Sequence, residues 1–372
     1  MKRKVLHVLH AVGGVDVYLR LITKNLNPDT FETVIVHGKT DSRTAYFDSQ
    51  NNQIKEYQIP IDREINLFKD LNSVYLLVKI LRKERPDVIH SHSAKGGIIA
   101  RLASIFYKVN VLHTPHAYSY LSTQSKLKKR LFLTIERGFK HINSILVATS
   151  QSELDRGLKD IGYKKSKAKL FNNSVYPIKQ VPPLSIEKTW PSEYICSVGR
   201  PSFQKNIELM VDVIFEIKKS KPDIHLVLLG AGLYSPNLEY IKKKIKELDI
   251  ENNITILGWI DRKDIFNIIH YSTLYLTTSR YEGLPYSVIE SLAMGKAIVA
   301  TNVDGNKDLV KNNFNGFLID NANKDQISQA VLKLINDDDL RESMGENSQK
   351  FFDEKFNMEQ NIKILESIYL NN

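Results

Sequence analysis

Leu274-Tyr275-Leu276-Thr277-Thr278-Ser279-Arg280-Tyr281-Glu282-Gly283-Leu284-Pro285-Tyr286-Ser287-Val288-Ile289-Glu290 runs from an apolar stretch through a polar loop into a helical one. Residues 274–277 are apolar without alternation, the pattern of a strand buried on both faces. Pro285 suits the first turn of the next helix, where a missing N–H costs nothing. The same strand–loop–helix unit recurs along the chain. Comparable strands are expected at residues 4–9, 33–37, 88–92, 111–113, 144–149 and 169–171. A second series follows at 194–198, 225–229, 254–257, 274–277, 297–300 and 316–319. Amphipathic helices such as 69–83, 207–219 and 240–248 lie between them. Strand–helix alternation in two successive series predicts an α/β chain. Two Rossmann-like, doubly wound domains are expected to face a central cleft.

Residues 177–191 contain four prolines, each fixing φ and removing a donor, so they read as a linker. The expected division is therefore an N-terminal domain over 1–176, the linker, and a C-terminal domain over 192–352. Residues 353–372 form a C-terminal helix with the option of crossing back to the N-terminal domain. The length of 372 residues fits two or three domains at roughly 150 residues each. The 42% hydrophobic and 25% charged content excludes disordered, collagen-like and coiled-coil classes.

The net charge is +10 and unevenly spread. Residues 1–180 hold 30 basic and 15 acidic residues, whereas 181–372 hold 22 and 27, so the halves carry +15 and −5. The basic half is expected to face something anionic. Cys196 is the only cysteine, which excludes an internal disulfide; it reads as a small core residue. No apolar run approaches the ~20 residues of a membrane-spanning helix. Lys2, Arg3 and Lys4 before residues 5–12 imitate a signal peptide. His7 and His10 interrupt that stretch, so a first buried strand is preferred.

Ligands of doubly wound sheets sit beyond the carboxyl ends of the strands, so the loops there carry the candidates. Gly13-Gly14 follow the first strand and permit close approach of a phosphate to a helix N-terminus. Gly199-Arg200-Pro201-Ser202-Phe203-Gln204-Lys205-Asn206 place two cations at the start of a helix, an anion-binding pattern. Gly230-Ala231-Gly232 make another tight turn. Gly258-Trp259-Ile260 offer exposed backbone beside which a base could lie. Glu282 sits on the loop after residues 274–277. Glu290 follows about one helical turn into the next element. His90 and His92 are two apart on a strand and share a face, with no third ligand at readable spacing. A structural role or cleft lining is preferred there, and no metal is expected.

Between Val88 and Ile135 there is no Asp or Glu, and seven cations. Four cluster as Lys126, Lys128, Lys129 and Arg130 before Leu131-Phe132-Leu133-Thr134-Ile135. A helix starting near Lys126 would have these cations opposing its dipole. Either a solvated basic face or attachment to an anionic membrane accounts for them.

In these motifs the sequence resembles the retaining glycosyltransferases of family 4, with the GT-B fold. Gly199, Arg200 and Lys205 match the family's G-R-x(3,5)-K loop; Glu282 and Glu290 match its E-x7-E motif. Residues 305–310 match its G-N-K-D-L-V stretch, and Gly13-Gly14 with residues 113–118 fit its sugar- and acceptor-side loops. Ala231 and Asn172-Asn173-Ser174 depart from the common pattern. The resemblance implies a UDP- or GDP-linked sugar donor held mainly by the C-terminal domain. Arg200 and Lys205 would bind the diphosphate, Glu290 the ribose and Glu282 a sugar hydroxyl. Gly283, Leu284, Pro285 and Tyr286 would hold phosphate or sugar through backbone, and Gly258–Ile260 would line the base. His116 would sit near the reacting sugar. His116, Glu282, Arg200 and Lys205 are thus the expected catalytic set.

The implied activity is metal-independent hexosyl or N-acetylhexosaminyl transfer in surface polysaccharide synthesis, with no cofactor. The acceptor is expected to be lipid-diphosphate-linked or a glycan. The protein is expected in the cytoplasm, peripheral at the inner face of the cell membrane, against an anionic surface and without nucleic acid. The basic stretch lacks interleaved aromatics for nucleic-acid stacking. A nucleotide-sugar epimerase of the same architecture and a non-catalytic sugar-nucleotide-binding protein are the alternatives. A phosphorylase would need a pyridoxal-phosphate lysine that the sequence does not place.

Overall fold

The computed structural model describes all residues except 1, 11–12, 40, 42–43, 63–65 and 233–234. Part of the first glycine loop, residues 11–12, therefore lies outside the described residues. The chain forms two compact units, Met1–Asn173 with Met358–Asn372, and Ser174–Asn357.

In the first unit the strands are β1 (Arg3–Val8), β2 (Phe31–Gly38), β3 (Lys55–Ile59), β4 (Val88–His92), β5 (Asn110–Thr114), β6 (Ser144–Ala148) and β7 (Ala168–Leu170). They pair in the order 3-2-1-4-5-6-7, and every pairing is parallel. The helices are α1 (Gly14–Thr23), α2 (Leu67–Glu84), α3 (Ser93–Phe106), α4 (Lys126–Phe139) and α5 (Gln151–Arg156). Leu6 and Val8 alternate onto one sheet face and pack with Leu77 and Leu81 of α2 and Ile99 of α3. The expected first strand is present, held between β2 and β4.

The second unit repeats the plan. Its strands are β8 (Ile195–Val198), β9 (Leu226–Leu229), β10 (Ile254–Leu257), β11 (Leu274–Thr277), β12 (Ile298–Thr301) and β13 (Gly316–Ile319), in the parallel order 10-9-8-11-12-13. Its helices are α6 (Ile207–Lys218), α7 (Leu238–Glu247), α8 (Arg262–Tyr271), α9 (Tyr286–Ala293), α10 (Asn306–Leu309), α11 (Lys324–Asn336) and α12 (Asp338–Lys355). Both sheets follow the Rossmann order, which reverses at β1 and at β8. Cys196 is fully buried in β8, and burial pushes its thiol up.

The final helix, α13 (Met358–Leu370), belongs to the first unit. Leu365 and Tyr369 are fully buried there. The units change over after Asn173 and after Asn357, where the sequence suggests 176 and 352. The later crossover follows α12, which runs unbroken to Lys355. The proline-rich segment is not a free linker. Asp264 of α8 accepts from the Ser185 N–H at 2.7 Å, and Asn267 donates to the Pro182 carbonyl at 2.8 Å. Those bonds fix it to the second unit. Among the described residues no helix is long and apolar enough to cross a membrane.

Candidate functional site

In the second unit, Gly199 follows β8 and the chain turns into α6. The stem of Lys205 folds back over Gly199, where an added Cβ would meet Lys205 Cδ at 3.1 Å. Lys205 Nζ reaches Glu282 Oε1 at 2.7 Å. The same oxygen accepts from Ser279 Oγ at 2.7 Å, and Oε2 accepts from Gln204 Nε2 at 3.1 Å. Two residues expected to meet different parts of a donor are therefore joined to each other. Arg200 is exposed. It makes no ion pair among the described residues, so its charge remains available to an anion.

Arg280 secures the two loops against one another, a role the sequence reading left unassigned. Its guanidinium donates to the Phe203 carbonyl at 2.6 Å and pairs with Glu208 at 2.8 Å. It also lies 4.4 Å from the centroid of the Phe203 ring. From the other side, Gly305 approaches at φ +79°, and a Cβ there would stand 2.6 Å from the Gly283 carbonyl oxygen. Only glycine combines that angle with that approach. The G-N-K-D-L-V stretch thus braces the backbone of Glu282 and Gly283.

Pro285 occupies the cap position of α9 with extended ψ of 123°, one step outside the first turn where the sequence placed it. Leu284 is buried and Tyr286 opens the helix. Glu290, on α9, is buried and forms an ion pair with Arg262 at the start of α8. Burial raises the Glu290 pKa above the usual carboxylate range, and Arg262 offsets part of that rise. Arg262 was missed because the base-side reading stopped at Ile260. Trp259 is 81% exposed, yet its indole covers Gly232: a Cβ there would lie 2.0 Å from Trp259 Cδ1. Gly258 and Ile260 flank that exposed ring.

In the first unit, Gly13 takes φ +62° and α1 begins at Gly14, leaving an exposed helix N-terminus beside β1. His116 and Ala117 follow β5 with φ of 54° and 77°, two left-handed residues in succession. Glu153 holds this turn by accepting from the Ala117 N–H at 2.8 Å. The Tyr18 ring of α1 meets His116 edge-on at 4.7 Å. Burial lowers the His116 pKa to about 3.

His90 and His92 share a face, as their spacing predicts, and His7 is their missing neighbour. The register of β1 on β4 sets His7 beside His90. Ligating atoms of the three lie within 4.8 Å of one another. Their nitrogens are largely committed already. His90 bonds Tyr369 at 2.7 Å and Thr114 at 2.8 Å. His92 bonds His7 at 3.0 Å and His116 at 3.2 Å. The cluster is two hydrogen-bonded chains, Tyr369–His90–Thr114 and His7–His92–His116.

On α4, Lys126, Lys128, Lys129 and Arg130 are all exposed and make no ion pair among the described residues. Leu127 and Leu131 are 78% and 54% exposed beside them. The helix does start at Lys126, capped by the Ser125 side chain. Its inner face is fixed by Glu136, which pairs with the fully buried Arg101 at 3.3 Å.

Residues 12–177 match the family described as Glycosyltransferase Family 4, and residues 186–351 match Glycosyl transferases group 1. An Escherichia coli UDP-Gal:alpha-D-GlcNAc-diphosphoundecaprenol alpha-1,3-galactosyltransferase is 27% identical, covering 99% of this chain and 97% of its own. A Staphylococcus aureus capsular polysaccharide biosynthesis glycosyltransferase, CapM, is 23% identical over 86% of this chain and 88% of its own. Among solved structures, sucrose-phosphate synthase of Thermosynechococcus elongatus superposes with a TM-score of 0.84 at 18% identity, covering 100% of this chain and 99% of that one. With a matching family on each unit and the paired Rossmann-like architecture shared end to end, the chain belongs to the family 4 glycosyltransferases of the GT-B fold.

Proposed function

We propose that this glycosyltransferase moves a hexosyl or N-acetylhexosaminyl group from a UDP- or GDP-linked sugar to a lipid-diphosphate-linked or glycan acceptor, with retention at the anomeric carbon. The product would enter surface polysaccharide assembly. The observation that carries this reading is the meeting of the Gly199–Asn206 and Ser279–Glu282 loops, with Lys205 on Glu282 and Arg200 left open. The galactosyl transfer to a diphosphoundecaprenol-linked sugar named for the E. coli relative supports the donor and acceptor classes.

In this account Arg200 and Lys205 stabilise charge developing on the nucleoside diphosphate as the sugar–phosphate bond breaks. Fixed cations aimed at developing charge are commonly the largest catalytic effect, so the step is assigned no metal. Glu282 steers a sugar hydroxyl while remaining tied to Lys205. Glu290 and Arg262 hold the ribose side, Leu284–Tyr286 the phosphate or sugar, and Gly258–Ile260 the base. Gly13 and Gly14 face the sugar side, with His116 near the reacting carbon. The acceptor oxygen bonds to the anomeric carbon on the face the diphosphate leaves. Its proton passes to a phosphate oxygen, so no protein base is required. The basic helix α4 would hold the enzyme peripherally on the anionic cytoplasmic face of the cell membrane.

NMR of the first-formed product from UDP-galactose and a GlcNAc-diphospholipid tests the stereochemistry. An α-linked product is expected, and a β-linked one would overturn retention.

A further inference from the structure

Donor accounting fixes the protons of the buried histidine network. Thr114 Oγ1 donates to the Val147 carbonyl at 2.8 Å, so its one proton is spent. It must therefore accept from His90 Nε2 at 2.8 Å, which puts the His90 proton on Nε2. His90 Nδ1 then accepts from the Tyr369 hydroxyl at 2.7 Å. The second chain, His7–His92–His116, has two possible directions. Burial lowers the pKa of all three imidazoles, so each carries one proton and offers one donor and one acceptor. The end of the chain decides. Among the described residues, His7 Nε2 is buried without a hydrogen-bond partner. A stranded N–H there is the costlier arrangement, since orphaned buried donors are rarer than under-used acceptors. The His7 proton therefore sits on Nδ1 and is donated to His92 Nε2 at 3.0 Å. His92 in turn donates from Nδ1 to His116 Nε2 at 3.2 Å.

We propose that His7 and His92 are positioning residues that hold His116 with its proton on Nδ1, so that His116 meets the donor sugar as a hydrogen-bond donor. Which ring nitrogen carries the proton is set by the bond the other one makes. Nε2 is engaged by His92; His116 is half-buried where His7 is fully buried, and its Nδ1 is not among the buried unpartnered atoms, so it is open to a ligand. The Glu153 clamp on Ala117 and the Tyr18 ring hold the turn in place. His116 then cannot act as a general base at the reacting centre, in keeping with a phosphate oxygen taking the acceptor proton. The proposal rests on the reading that places His116 beside the transferred sugar.

The test uses full-length protein labelled with 15N-histidine, in long-range 1H–15N correlation spectra at pH 7. His116 is expected to be protonated at Nδ1 and His90 at Nε2, opposite tautomers in one molecule. A proton on His116 Nε2 would overturn the proposal without any variant having to fold. In kinetics, His92→Leu is expected to lower kcat at least about tenfold, with UDP affinity unchanged. His92→Gln keeps an amide donor and should restore most of the rate. Equal rates for His92→Leu and wild type would also overturn it. An unaffected His116→Ala enzyme would remove His116 from the sugar while leaving the tautomer result intact, so the two failures separate.

Discussion

Lys205 and Glu282 lie 77 residues apart, and their 2.7 Å contact is invisible in a linear reading. The motifs that contain them are legible, because each follows a short apolar strand and precedes a helix. What the sequence withholds is that one partly neutralises the other. Glu290 shows the same limit. Its motif is plain, but its partner Arg262 comes from another loop. Burial keeps the Glu290 carboxyl above the ordinary range, and Arg262 draws it part of the way back. A folded-state value above the unfolded one gives stability that is full below the unfolded pKa and is lost as pH rises through the folded one. Arg262→Ala widens that gap. The variant should match wild type near pH 4, where the carboxyl is protonated. It should fall behind by about 1 kcal/mol at neutral pH, the guanidinium being half exposed. Chemical denaturation at several pH values checks this, and a gap that closes with rising pH would refute it.

Strands buried on both faces are readable from their apolar runs, whereas β3 is not. Lys-Glu-Tyr-Gln-Ile opens on two charged residues, and only Ile59 is buried. It is an edge strand kept in register by charge. Lys55, Tyr57 and Lys4 converge on Glu84 at the end of α2. Burial alone would raise the Glu84 pKa, but these partners hold it at about 2. The histidine network was missed for a related reason, because register, not spacing, brings His7 to His90. At α4 the charge pattern was legible and the structure adds the exposed leucines. Four cations without acidic partners contribute ~1 kcal/mol each near an anionic bilayer. Replacing Lys126, Lys128, Lys129 and Arg130 with Gln should lower co-sedimentation with phosphatidylglycerol vesicles at least tenfold. Binding that survives the replacement would leave α4 as a solvated face.

Across the whole molecule, the two ends of the chain meet within the first unit. Tyr369 of α13 donates to His90, 279 residues away. Sequence alone gave the final helix but not its seat, because nothing local records which sheet it covers. Tyr369→Phe leaves a buried imidazole acceptor without a donor, which costs about 1–3 kcal/mol. Urea denaturation should show an earlier midpoint with an unchanged slope. An unchanged midpoint would mean that the hydroxyl is not structural. The charge asymmetry also gains a meaning at this scale. On the proposed reading, the net-acidic half binds a diphosphate with only a few placed cations, while the basic half presents α4.

The proposed function stands or falls with the grip of Arg200 and Lys205 on a nucleotide diphosphate. Calorimetric titration of UDP and GDP into wild type, Arg200→Ala and Lys205→Ala tests it most directly. Wild type is expected to bind at least one of the two nucleotides, and each variant to bind it at least about tenfold more weakly. Binding of equal strength in all three proteins, or binding of neither nucleotide by wild type, would contradict it.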